Sequence, residues 1–275
     1  RAYYPFTKKH MENLLATRDA GAEMRCYDYV TWQGSPQPLN ILDAAVAYRK
    51  LGYRHYHAEV MNRNEQLWPI LWSLAQYVWD SDQDPRALLA DYCNEYYGQQ
   101  GPLVLDLMKR LDAGSRSIPT LVYGGPTDTQ MMVSDSLIAH GREVLAKAIA
   151  TLKGKERARL ELFRDTFEMF ARTAETYRSY CDALNSRTPK AIAESRARFT
   201  DYEKFWGTRH LQATCSPRTL TEMQRLSAVK IDPRPEPTGR KELDDKQTWL
   251  RELFAFDRVP DRVPNLFPLP EVWRF

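Results

Sequence analysis

The sequence predicts a fold that begins as α/β and continues as mostly α. Two short aromatic and β-branched stretches, 23–30 and 53–60, alternate with helical periods before residue 80. That alternation is the grammar of a parallel sheet or barrel. From residue 81 onward the apolar spacing is helical throughout. Two strands cannot make a stable parallel sheet alone, and a complete eight-fold barrel needs roughly 250 residues. Either further strands lie elsewhere or part of a barrel is missing, and no comparable strand stretch follows residue 80.

Element by element, Thr7 is placed to cap a helix carrying Met11, Leu14 and Leu15 that ends near Gly21. Residues 23–30, EMRCYDYV, read as a strand. The loop TWQGSPQP follows, broken by Pro36 and Pro38. Asn40 is expected to cap the next helix, with Asp43 at its third position and Gly52 at its end. Residues 53–60, YRHYHAEV, form the second strand. A helix from about Glu65 to Asp80 is apolar nearly all round and is expected to be well buried.

Asp84 and Pro85 supply a cap and a first helical residue. Leu88, Leu89, Tyr92, Cys93 and Tyr96 follow, with Gly98 as the stop. Leu103, Leu107 and Leu111 mark a further helix ending near Gly114, and residues 115–133 read as a loop. Ser134 or Ser136 opens a helix to about Leu152, broken by Gly154. The clearest helix carries Leu160, Phe163, Phe167, Phe170, Ala174, Tyr177, Cys181 and Leu184. That spacing is the seam of an antiparallel bundle. Thr188 and Pro189 start a last helix through Ile192, Phe199 and Tyr202 to Trp206. The expected organisation is an α/β unit at 1–80, a helical domain at 81–230, and a segment at 231–275. That segment is a proline-rich linker and an apolar tail leading into a further domain.

Charge and composition exclude several function classes. Lys and Arg number 39 against 36 Asp and Glu, a net charge of +3 that points to neither nucleic acid nor a membrane surface. No apolar run approaches the ~20 residues of a membrane helix. The four cysteines, Cys26, Cys93, Cys181 and Cys215, contain no C-x-x-C pair. Cys93 and Cys181 read as small core residues. No nucleotide-binding glycine motif is present, YGGPTD is a turn, and no cofactor is expected. The chain opens on Arg1 rather than Met and on no recognisable leader, so a longer parent polypeptide is expected.

Candidate chemistry lies at the strand ends, where barrel active sites sit. His55, His57 and Glu59 alternate onto one strand face, and Cys26 and Asp28 share a face of the other. If the strands are neighbours, Asp28 and Glu59 are expected to approach each other over the barrel mouth. Two carboxylates flanking a bond are what glycoside hydrolysis uses. Tyr27, Tyr29 and Trp32 supply rings to pack on sugar faces. His57 is read as a hydrogen-bonding partner of substrate or of Glu59. A second reading makes His55 and His57 ligands of a hydrolytic metal. The other histidines, His10, His140 and His210, fall on helices or loops, so no metal is assigned.

With these residues in place, the chain resembles a bacterial family of unknown function that is distantly similar to the barrel of alpha-glucuronidases. MRCYDYV resembles the family's penultimate barrel strand, and LDAAVAYRKLGYRHYHAEV its helix, turn and final strand ending in glutamate. LWPILWSLAQYVWDSDQDPRALLADYCNEYYG resembles its closing helix, acidic turn and entry into a helical domain, and LPEVWRF a linker to a β-sandwich. The resemblance implies that residues 1–80 are the last quarter of a (β/α)8, TIM-type barrel, with six strands upstream. It also implies a carbohydrate substrate, an extracytoplasmic location and catalytic roles for Glu59 first and Asp28 second. The alternative class is a non-catalytic helical module that binds a glycan or protein, in which 81–230 fold alone.

Overall fold

The structure, a computed structural model, describes residues 8–29, 36, 39–59, 65–116, 126–208 and 223–231. These residues are mostly helical, with one two-stranded parallel sheet. Thr7, Val30, Trp32, Val60, Cys215 and nearly all of 231–275 lie outside the described residues. An eight-stranded barrel is not what the described residues form.

Helix α1 (Lys8–Asp19) leads through Gly21 into β1 (Met24–Tyr29), and α2 (Asn40–Lys50) crosses over to β2 (Tyr53–Glu59). The two strands pair in parallel. Alternation sorts their residues into two rows. Cys26, Tyr56 and Ala58 make the row turned to the protein, and Tyr56 and Ala58 pack against the hydrophobic core. Arg25, Tyr27, His55 and His57 make an exposed row.

The N-terminus of α2 differs from the sequence expectation. Asn40 is the first helical residue, and Leu39 occupies the cap position without a side-chain cap. Leu39 is fully buried, and its N–H donates to Asp112 Oδ1 at 2.8 Å. The orphan donor of the helix start is thus satisfied from 73 residues away. Asp43 does not cap either. It accepts from Arg86 at 2.7 Å and from Arg116 at 3.1 Å.

Helix α3 (Leu67–Trp79) and α4 (Pro85–Tyr97) form a helical hairpin. Leu67, Ile70, Leu74 and Tyr77 of α3 are buried. The expectation of burial all round fails, because Trp68 and Trp72 are exposed and Trp79 is 90% exposed. Helix α3 packs on α2 and α4, and these three tryptophans stand out from that contact. As expected, Asp84 caps α4, its Oδ1 accepting from Arg86 N–H at 2.9 Å, and Gly98 ends it at φ +57°.

A 3₁₀ turn at Gly98–Gln100 feeds α5 (Gly101–Arg116). Part of the expected loop at 115–133 is helical: α6 spans Pro126–Met132. Pro126 takes a first helical position, where its missing N–H costs nothing. Helix α7 (Asp135–Thr151) is capped by Ser134, whose Oγ accepts from Leu137 N–H. Helix α8 (Gly154–Ser186) begins on Gly154 at φ +60° and buries the expected seam from Leu160 to Cys181, with Tyr177 partly covered. Helix α9 (Pro189–Thr208) starts under Thr188 Oγ1, which accepts from Ala191 N–H at 3.2 Å.

Helices α7 and α8 approach closely. A Cβ on Gly141 would lie 2.2 Å from Phe167 Cζ, so this position admits no larger residue without movement. Beside that contact, Arg142 donates to Glu168 at 2.7 Å and to Glu175 at 2.8 Å. One hydrophobic cluster runs from Leu39 through α3, α4, α5, α7 and α8 to Met223. The boundary expected near residue 80 therefore falls inside a shared core. Cys93 and Cys181 are buried, as small core residues would be.

Candidate functional site

The carboxyl ends of β1 and β2 lie side by side, and the ladder fixes what they bring together. Asp28 pairs with Ala58 and Tyr29 with Glu59. In a parallel ladder, paired positions belong to the same row. Position 59 therefore falls in the same register row as positions 27, 29 and 57, and position 28 in that of position 26. The expected approach of Asp28 and Glu59 across the strand pair is corrected by this register: they occupy the same strand end but opposite rows. Trp32 lies outside the described residues.

The exposed row has its own order. The Tyr27 and His57 rings stack at 5.1 Å with a 15° interplanar angle, and Tyr27 is 56% exposed. Two residues back, His55 Nε2 meets Glu23 Oε1 at 2.5 Å, and Glu23 also accepts from Arg25 at 3.0 Å. The Arg25 hydrogen bond first, and His55 second, hold the Glu23 carboxyl below the usual range. His55 is thereby committed to a carboxylate. Among the described residues no group of three His, Cys, Asp or Glu gathers as a metal site would require.

Where β2 hands over to α3, the structure adds a residue that sequence reading used only as a helix start. Glu65 is half-buried, and burial pushes its carboxyl pKa up. Its backbone is held by the helical region: its N–H donates to Thr166 Oγ1 on α8 at 3.3 Å, and its carbonyl accepts from Tyr97 Oη on α4 at 3.5 Å. Tyr92, Tyr96 and Tyr97 surround this junction. Burial raises all three phenols, Tyr92 to about 12, and the nearby Glu65 charge adds to each shift. The signal that could have found it is positional, since it stands between a strand and the helix that follows.

The strand unit is tied to the helical region by polar contacts as well as by the core. Asp112 on α5 is nearly buried and accepts from both Leu39 N–H and Arg116 Nε, each at 2.8 Å. Arg116 then reaches Asp43 on α2. Burial acts to raise the Asp43 pKa, but the hydrogen bonds from Arg86 and Arg116 outweigh it, and the net shift is downward.

No described helix is long and apolar enough to cross a membrane. Compared with known proteins, the chain matches no family model, no curated protein and no solved structure.

Proposed function

We propose that this chain is part of a glycoside hydrolase of the alpha-glucuronidase-like type it resembles. In this reading residues 1–80 close a (β/α)8 barrel and the helical residues 81–230 buttress it. The observation that supports this most is the exposed row of the sheet. Parallel sheets are covered on both faces, and a two-stranded sheet is marginal alone. Here one row packs on helices, while the other presents Arg25, Tyr27, His55 and His57 to solvent. In a closed barrel this row would be the inner one, covered by the remaining strands, with its C-terminal end at the catalytic face. The uncovered tryptophans of α3 agree with a structure that packs against more than the described residues.

The substrate would be a poly- or oligosaccharide. Glu59, at the strand end in register with the row of Tyr27 and His57, would serve as the catalytic carboxylate, attacking the sugar or activating water while an acid protonates the leaving oxygen. Tyr27, Tyr29 and His57 would line the sugar site, with Trp32 beyond the strand. Asp28, at the same strand end but in the opposite row, takes no part beside Glu59, and the acid would come from elsewhere in the barrel. Such chemistry requires no cofactor. The test is release of reducing ends from a panel of plant and bacterial polysaccharides by the product of the whole reading frame. Glu59→Gln should lower the rate about a hundredfold or more. An unchanged rate removes Glu59 from the mechanism.

A further inference from the structure

The other end of the sheet carries a cavity that the strand-end chemistry does not use. It lies at the start of β2, about 20 Å of strand away from Glu59. There the end of α2 and the start of β2 meet the end of α3 around a recess of about 30 Å³, room for the oxygens of one small anion. Arg49, Tyr77 and Ser81 line this recess, and the same three line an open cleft of about 560 Å³ beside it. Arg54 lines the recess alone, and Lys50 and Asp82 line the cleft alone.

The recess is walled by donors that the fold leaves unused. Arg49 Nε donates to Ser81 Oγ at 3.1 Å, so the Ser81 proton stays free to donate onward. No carboxylate reaches Arg49, Lys50 or Arg54 among the described residues. Tyr77 is only 5% exposed, yet no hydrogen bond reaches its phenol among the described residues. Burial raises that phenol's pKa and the Arg49 charge opposes the rise, so the two are neighbours. His55 also lines the recess but is held by Glu23, and no acidic side chain among the described residues lines it.

This wall asks for an anion with several acceptor oxygens. A phosphate supplies three and up to two charges, more than a carboxylate does. In the cleft the chemistry reverses. The Asp84 carboxyl there is spent on capping α4, while that of Asp82 has no partner among the described residues. A free carboxylate accepts from hydroxyls and repels a further phosphate. We infer that this end of the molecule binds the phosphate monoester of a polyol, such as a sugar phosphate. The phosphate sits in the recess on Arg49, Arg54, Tyr77 and Ser81, and the hydroxyls lie in the cleft beside Asp82.

The test is calorimetric titration of the full 275-residue chain with inorganic phosphate, glucose 6-phosphate and glucose. Phosphate should bind, glucose 6-phosphate should bind more tightly, and glucose should not bind measurably. Arg49→Gln should weaken phosphate binding about tenfold and Tyr77→Phe about threefold. Asp82→Ala should weaken glucose 6-phosphate but not phosphate. Arg49 and Asp82 are exposed and Tyr77→Phe keeps the ring, so all three variants should keep the parent's circular dichroism. Arg110→Gln, paired with Asp106 and lining neither space, should change nothing. No phosphate binding at millimolar concentration overturns the site. Binding that survives Arg49→Gln and Tyr77→Phe, or falls as far with Arg110→Gln, is general surface attraction and overturns it too. Glucose 6-phosphate binding no tighter than phosphate, or indifferent to Asp82→Ala, overturns the polyol assignment. The site shares no residue with the row of Tyr27, His57 and Glu59, so its failure leaves the carbohydrate reading standing.

Discussion

Asp112→Ala should be among the most damaging single changes in this protein, because it unties the strand unit from the helices. The Asp112 carboxylate holds two donors, Leu39 N–H and Arg116 Nε, each at 2.8 Å. Leu39 is fully buried, so removing its acceptor strands an N–H away from water. That costs about 1–3 kcal/mol. Arg116 is 43% exposed and keeps Asp43, so its loss adds about 0.5 kcal/mol or less. The sum is roughly 1–3.5 kcal/mol, or a drop of about 2–14 °C in Tm at the usual ~2–4 °C per kcal/mol for a domain of this size. Asp112→Asn keeps an acceptor for Leu39 and should lose about half as much. Thermal and urea unfolding of the three proteins would measure this. If Asp112→Ala falls within about 0.5 kcal/mol of the parent, the Leu39–Asp112 bond does not hold α2 to α5.

Other outcomes follow from the same contacts. Gly141→Ala should destabilise by about 1–3 kcal/mol, because its Cβ would intrude on the Phe167 ring; an unchanged melting curve would mean that α7 and α8 do not meet there. The Glu65 pKa is raised in the folded state, so its contribution is fully present at low pH and is lost as pH rises through the folded value. Glu65→Gln should therefore match the parent at pH 4 and melt higher at pH 8, and equal melting at both would refute the burial argument. Residues 81–230 expressed alone should be much less stable than the whole, since Leu39, Leu42, Leu67, Ile70 and Leu74 belong to their core. A fragment that melts like the parent would favour the independent helical module.

What could be read from the sequence was local. The caps Asp84, Ser134 and Thr188 announce themselves because donor and acceptor lie within one turn. The α8 seam is legible because its period is its own. The Asn40 cap was misplaced for the opposite reason: the group that satisfies the helix start is Asp112, far away in sequence. Helix α6 was hidden by a Gly-Gly-Pro run that reads as a loop, while Pro126 is in fact well placed to begin a helix. The α3 tryptophans show that apolar composition does not say which side has a partner.

At the candidate site the limits are similar. Alternation within β2 puts His55 and His57 in one exposed row. The offset between strands is set by pairing, not by either strand's pattern, and it puts Asp28 opposite Ala58. Glu65 gains its character from Thr166, Tyr92, Tyr96 and Tyr97, none of them adjacent in sequence.

The most direct measurement is the experimental structure of the product of the whole reading frame. The account predicts further parallel strands on the open edges of the β1–β2 sheet, with the row of Tyr27, His57 and Glu59 turned into a closed barrel. A structure in which this sheet stays two-stranded, with that row still facing solvent, would contradict the barrel and the catalytic reading built on it.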